Sequence, residues 1–316
     1  MRRTRPPKDR LTTRRPSSRG KRQQRNARLL ALLGLGLAAA AVVLLINYIS
    51  QTRQTRQEQA ALRALYHTET PAATSTPTAL AAQTGTPPPV NVIFSPAPSL
   101  APGQLPAMGE RFLPLMRKNR DVVGWLSYSG ITEIDFPVVQ RDNIYYLNRD
   151  FSERENIGGS IFMDENNAIW PQDENIILHG HNMKNGTMFG KLARLLEPEM
   201  TRYLPFMTFS TLYSEEVYVP YAVAIFSNDP KDSRYIGIIA PNFPSAQDKE
   251  TYVNTLRRRS SLFFPVDVGE DDQLLTLITC HGPIDTERLA VALRALRPGE
   301  DQETLKAAFM TQVARQ

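Results

Sequence analysis

The chain has 316 residues, 41% hydrophobic and 22% charged, with a formal net charge of +5, a length that admits one or two domains. Twelve of its 37 Lys and Arg lie before residue 29 with a single acid, Asp9, which leaves 25 bases against 31 acids in the remainder. The positive balance therefore belongs to a tail, and the mildly acidic remainder excludes a basic nucleic-acid-binding core.

Residues 29–46 carry no charge and no strongly polar side chain, and Tyr48 and Ile49 extend the run. As a helix these eighteen residues would rise about 27 Å, close to the hydrocarbon thickness of a bilayer. A cleaved signal peptide would have a shorter apolar core and a small-residue cleavage site; Asn47-Tyr48-Ile49-Ser50 makes a poor one. The expectation is an uncleaved anchor over 29–49, with the basic tail 1–28 in the cytoplasm and everything after residue 50 outside. Residues 51–66 are polar and helix-favouring and continue the membrane helix outward. From 68 to 106 the chain turns to Pro, Thr, Ala and Ser, with three prolines at 87–89, a composition that extends instead of folding. Residues 50–106 thus form a juxtamembrane helix and a linker.

The pattern is globular over 107–316, ample for one cored domain. A short helix is expected at 107–119. Strand-like runs follow at 122–128, 134–140, 159–163, 175–179, 217–226, 273–279 and 288–293, with turn signals between them. Helical patches stand at 187–196, at 248–259 with Ser245 as cap, and at 302–313. Many short strands with few helices point to a mainly β barrel or sandwich.

Three runs carry the chemistry. Residues 175–179 form an apolar strand that leads into Gly180-His181-Asn182-Met183. Residues 274–280 form another, ending in Thr279-Cys280, and Cys280 is the chain's one cysteine. Arg288 opens a third after a seven-residue connection with a Gly-Pro turn, so antiparallel pairing would bring Cys280 and Arg288 to one rim. Cys280 has no internal disulfide partner; it is a buried small hydrophobe, an intermolecular bridge or a nucleophile. A free thiol is only a few per cent thiolate near neutrality, so a nearby cation matters. His can give and take a proton, and Arg can hold a developing oxyanion. Together they suit acyl transfer through a thioester. His179 and His181 are expected to face opposite sides, and spacing alone leaves the choice between them even. His281 is expected to point away from the cysteine. No acid or Cys cluster accompanies the His-x-His pair, so metal binding is not expected. Asn185-Gly186-Thr187 fits a glycosylation triplet and reads better as a turn.

At these residues the sequence resembles the sortase family, and within it the class B sortases. Gly180-His181-Asn182-Met183 is similar to the family's catalytic histidine motif, Thr276-Leu277-Ile278-Thr279-Cys280 to its nucleophile motif, and Arg288 to its catalytic arginine. The likeness also takes in Val123–Leu126, Ile134–Gln140, Asp142–Leu147, Gly159–Asp164 and Gly186–Leu192, and covers roughly 110–297. It implies an eight-stranded closed sortase-type barrel with peripheral helices, the 248–259 helix being similar to the one that marks class B. It implies that His181, not His179, is the general acid and base, that Cys280 is the nucleophile and that Arg288 steadies the carbonyl oxygen. Thr279 and Asn182 would contact substrate. The implied substrates are secreted proteins of a Gram-positive-type bacterium with a C-terminal sorting signal, cleaved after Thr, and the implied acceptor is an amine of a peptidoglycan precursor or a pilin. No cofactor, metal or nucleic acid is called for. Two departures bear on substrate preference: His179 stands where an aromatic is common, and Ile278 where a small polar residue is common. A papain-like hydrolase would need its cysteine at a helix start with the histidine after it. A membrane-tethered scaffold would leave the three matched residues to coincidence.

Overall fold

The structure, a computed structural model, describes residues 18–68, 105–128, 134–197, 205–280 and 286–313. Most of the Pro/Thr-rich linker and the connection holding His281 lie outside these residues. The chain divides into one unit ending at Arg53 and another beginning at Gln54. The first is helical from Ser18, within α1 (Ser18–His67). It carries an 18-residue window of mean hydropathy 2.9, long and apolar enough to cross a bilayer. Leu29, Leu33, Val43 and Ile46 are all exposed, so this stretch has no protein core of its own.

The second unit is a closed eight-stranded barrel. Its strands are β1 (Val122–Tyr128), β2 (Asp135–Val139), β3 (Ile161–Met163), β4 (Asn175–His179), β5 (Met207–Thr211), β6 (Glu215–Ser227), β7 (Leu274–Cys280) and β8 (Glu287–Ala295). They close in the order β1-β2-β3-β4-β7-β8-β6-β5. β2 with β3 and β4 with β7 run parallel, and the other pairs run antiparallel. Parallel neighbours need a long crossover, and β5, β6 and α3 (Ala246–Arg259) supply it between β4 and β7. β4 and β7 are mainly apolar and buried almost throughout, the signature of strands covered on both faces. Ser245 caps α3, its hydroxyl accepting from the Asp248 amide, and α4 (Gln302–Val313) follows the last strand.

Three expectations change. The 107–119 helix is a 3-10 turn, Glu110–Phe112, followed by the short α2 (Leu113–Lys118). The 187–196 patch is a turn followed by a 3-10 segment at Leu192–Leu196, not an α-helix. Gly186 and Met188 there take positive φ of 77° and 52°, which no helix contains. β5 was not foreseen; its Thr and Ser positions give only a broken apolar alternation.

The last turns of α1, within the second unit, pack on the outside of β1. Leu62 and Tyr66 join Phe112, Leu115, Trp125, Tyr146 and Phe151 in a buried cluster separate from the main one. Tyr66 stacks on Trp125 with centroids 4.2 Å apart and planes 5° from parallel. Trp125 Nε1 donates to Asp135 Oδ1 at 2.6 Å, and Arg63 and His67 close on the same carboxylate at 3.4 and 3.1 Å. Trp125 is 1% exposed, so Trp125→Ala should cost about 3–5 kcal/mol. Urea unfolding of the full chain in detergent, followed by far-UV circular dichroism, measures this. A loss below about 1 kcal/mol would mean that this contact does not hold the helix to the barrel.

Candidate active site

The topology gathers the chemically active residues at one rim. In the parallel ladder His179 is opposite Ile278, and the Gly180 amide donates to the Ile278 carbonyl at 3.2 Å. Two positions further along the two chains stand His181 and Cys280. In the antiparallel ladder Cys280 is opposite Arg288. The rim therefore holds the end of one parallel strand, the end of its neighbour and the start of the third.

Gly180 is required where it stands: a Cβ there would come within 2.5 Å of Ile161 and 2.7 Å of the Phe189 ring. The loop behind it folds back on His181, whose carbonyl accepts from the Met183 and Phe189 amides at 3.1 and 3.0 Å. Gly190 closes the loop, since a Cβ there would lie 2.2 Å from the Met183 carbonyl oxygen. Asn185 Oδ1 accepts from the Thr187 amide and hydroxyl at 3.1 and 2.7 Å, so the triplet there is a turn. His181 Nε2 lies 2.6 Å from the Leu147 carbonyl. A carbonyl only accepts, so Nε2 carries the proton. Arg288 Nη1 donates to the Glu287 carbonyl at 3.0 Å. The Glu287 carboxylate is held by Arg234 at 2.6 Å, and Arg234 is held in turn by Asp232.

A cleft of about 280 Å³ opens at this rim, lined by His181, Arg288, Thr279, His179, Asp164, Asn143, Leu147 and Ile239 among others. Both histidines face it. Positions i and i+2 of an extended chain share a side, so the opposite-side expectation is overturned. Thr279 is 3% exposed, and its hydroxyl makes no hydrogen bond among the described residues. Asn182 pairs through its backbone with Met188 and does not line the cleft. Among the described residues no group of three His, Cys, Asp or Glu could hold a metal ion. A larger hollow, about 660 Å³, lies at the other end of β7 and β8. It holds none of these groups; beside it the fully buried Arg294 pairs with Glu300 and Arg297 pairs with Asp272.

Sequence reasoning did not single out Asp164. Its carboxylate is 1% exposed, and Oδ2 lies 2.9 Å from His179 Nε2. Asn143 Nδ2 donates to the same oxygen at 3.1 Å, and Asn166 donates to Oδ1 from its amide and side chain. Burial alone would raise this carboxyl, but the donors outweigh it and hold the pKa at about 2. The signal in the sequence was the Asp-Glu-Asn-Asn run after a short apolar strand, polar side chains with nowhere to go but one another. A lowered carboxyl stabilises the fold above its unfolded pKa and loses that contribution as pH falls through its folded pKa. Asp164→Asn sets an amide donor against the Asn143 and His179 donors and should cost about 1–3 kcal/mol at pH 7. The deficit against wild type should shrink between pH 5 and about 2, measured by urea unfolding across that range. An equal deficit at every pH would contradict this origin.

Three comparisons bear on this rim and its barrel. A sequence model of the sortase domain matches residues 130–295. Sortase B of Listeria monocytogenes is 34% identical over 178 residues, 55% of this chain and 68% of that protein. Sortase B of Staphylococcus aureus is 30% identical over 190 residues, 59% of this chain and 75% of that protein. A solved Staphylococcus aureus sortase B–substrate complex superposes with a TM-score of 0.54 at 28% identity, covering 60% of this chain and 86% of that one.

Proposed function

Because this chain belongs to the sortase family and is a class B cysteine transpeptidase, we propose that His181, Cys280 and Arg288 are its catalytic residues. Their substrate is a C-terminal sorting signal on secreted proteins, cut after Thr. The observation that carries this assignment is the register at the rim: Cys280 opposite Arg288 in one ladder, and the His179–Ile278 pairing that leads to His181 and Cys280 in the other.

The proton of the Cys280 thiol passes to His181. The thiolate attacks the threonine carbonyl, forming a carbon–sulfur bond, while Arg288 steadies the oxygen as it gains charge. The tetrahedral species collapses, the peptide carbon–nitrogen bond breaks, and His181 protonates the departing amine. An amine of a peptidoglycan precursor or a pilin then attacks the thioester, gives its proton to His181 and releases the thiolate. The buried, unpartnered Thr279 hydroxyl supports a substrate contact there, because a hydroxyl left without a bond is costly until something pairs with it. Asn182, next along the chain from His181, would reach the peptide from the loop.

The same reading divides the chain into a cytoplasmic tail (1–28), a membrane anchor (29–49), a juxtamembrane helix and linker (50–106) and an extracellular catalytic domain (107–316). The twelve basic residues ahead of the apolar segment support the N-terminus-inside orientation. Docking of Tyr66 on Trp125 makes residues 54–67 part of the folded unit, so full-length protein in detergent is the material to assay.

Mixed with sorting-signal peptides and a small amine, wild type should give a thioester on Cys280 and amine-capped peptide by mass spectrometry. Cys280→Ala should give neither. His181→Ala should lose about 10²–10⁴ in kcat/KM, and Arg288→Ala about 10²–10³. Capped product from Cys280→Ala, or a folded Cys280 that resists alkylation, would overturn the assignment.

A further inference from the structure

His181 accounts for proton transfer, which leaves the second histidine of the cleft without a task. His179 is 21% exposed along its side chain and lines the cleft beside Thr279 and Arg288. Its ring is fixed on two sides. Phe162 stacks against it, with centroids 5.1 Å apart and planes 28° from parallel, and Asp164 holds Nε2 at 2.9 Å. Asp164 is in turn fixed by Asn143 and Asn166, so the ring can neither flip nor swing without breaking a buried network.

The clamp also selects the tautomer. An ionised carboxylate only accepts, so the hydrogen of a neutral His179 sits on Nε2 and Nδ1 keeps its lone pair. Among the described residues the bonds of His179 go to Asp164 through Nε2, and none engages Nδ1. A rigid acceptor on a ring that lines the cleft of an enzyme whose proposed thiol is acylated by a peptide has an obvious complement in that extended peptide, whose backbone presents one N–H per non-proline residue. The aromatic common at this position by resemblance could offer a hydroxyl or a ring face but not a fixed nitrogen lone pair.

We propose that His179 is a substrate-positioning residue, held by Asp164 so that Nδ1 accepts a hydrogen bond from one backbone N–H of the bound sorting peptide. This rests on the transpeptidase reading and adds a site to it. His179 makes no covalent bond and carries no proton in the reaction; it fixes the register of the peptide along the cleft. The neighbouring charged and titratable groups facing it are Asp164 from the end of β3, His181 from the loop after β4 and Arg288 from β8, so a pH profile alone would mix their titrations. Substitution in both partners isolates it.

The experiment uses full-length wild type, His179→Phe and His179→Tyr in detergent, with a turned-over sorting peptide and a set of the same peptide N-methylated at one backbone position at a time. Phe keeps the ring and its stacking on Phe162 but removes both nitrogens; Tyr does the same and serves should Phe lower the thermal midpoint sharply. One hydrogen bond corresponds to about a two- to tenfold change in KM. The expected result is one N-methyl position whose KM penalty in wild type vanishes in the variant. The variant's KM for the unmodified peptide should rise by a similar factor, with kcat within about twofold. Identical N-methyl penalties in wild type and variant, or a fall in kcat at unchanged KM, would overturn the proposal. Wild type that caps no peptide at all would instead remove the transpeptidase reading, so the two failures are separable.

Discussion

The site depends on two strands, β4 and β7, running parallel side by side in a barrel that is otherwise almost wholly antiparallel. Parallel neighbours end at the same edge, so the residues just beyond their two ends emerge together. β8 returns antiparallel from β7 and begins at that edge. His181, about a hundred residues earlier in the chain, and the proposed Cys280 and Arg288 thereby come to the same edge. The arrangement needs a long crossover, and a buried polar cluster pins its register. Asn175 on β4 accepts from Thr276 on β7 at 2.9 Å and donates to the Ala240 carbonyl in the crossover at 3.0 Å. The Tyr252 hydroxyl on α3 meets both side chains at 3.2 Å, and burial pushes its phenol up to about 12. Lys249, almost fully buried on the same helix, donates to the Glu270 and Asp272 carbonyls just before β7 and reaches Glu174 just before β4. A slip of one residue would turn Thr276 away from Asn175 and Tyr252 and leave this cluster unpaired.

The same physics sets how much of this was legible in the sequence. β4, β7 and β8 were readable as mainly apolar runs with His179, Cys280 and Arg288 at or next to one end. α3 was readable from Ser245 as its cap, and the helix buries Tyr252, Val253 and Leu256. The 187–196 segment misled because Met188, Phe189, Leu192 and Leu195 fall at helical intervals and are indeed buried. They are buried by a glycine-hinged turn, and the close approach of Gly190 to the Met183 carbonyl that forces this geometry is a tertiary fact. Asp164 was invisible as a partner of His179 because the strand pairing that joins them, Phe162 with His179, is long-range.

The end of α1 shows the same limit from another side. Residues 54–67 are mostly Arg, Gln, Glu and Ala, which reads as a solvated helix, and only Leu62, Leu65 and Tyr66 break the pattern. What fixes them is the outer face of β1, where Trp125 presents a flat apolar surface with an N–H that needs an acceptor. Around that pair the polar residues also find partners: Thr55 accepts from Asn156 at 2.8 Å, and Glu58 takes Ser152 and Arg154. Burial raises the Glu58 carboxyl despite those donors. Docking brings Gln59 within 3.7 Å of the Met188 sulfur, in the loop after His181. The helix thus braces the loop that carries the proposed acid and base.

Two histidines sharing a cleft raise the question of which one serves the thiol, and the partners of the rings alone give a misleading answer. His179 has the buried carboxylate that usually orients a catalytic base, whereas His181 meets the Leu147 backbone carbonyl. Register argues against that analogy. His179 is opposite Ile278, two positions behind Cys280 on a strand that advances about 3.3 Å per residue, whereas His181 lies two positions beyond the last paired residue of β4, as Cys280 does on β7. A ring whose Nε2 is fixed on an anion, two residues back, is well made to hold a peptide still. A ring at the rim, held by a neutral carbonyl, suits the proton transfers proposed for each half of the reaction. Spacing along the chain left the choice even; the long-range ladder supports the proposal of His181 for the thiol and of the carboxylate-bound ring for the peptide.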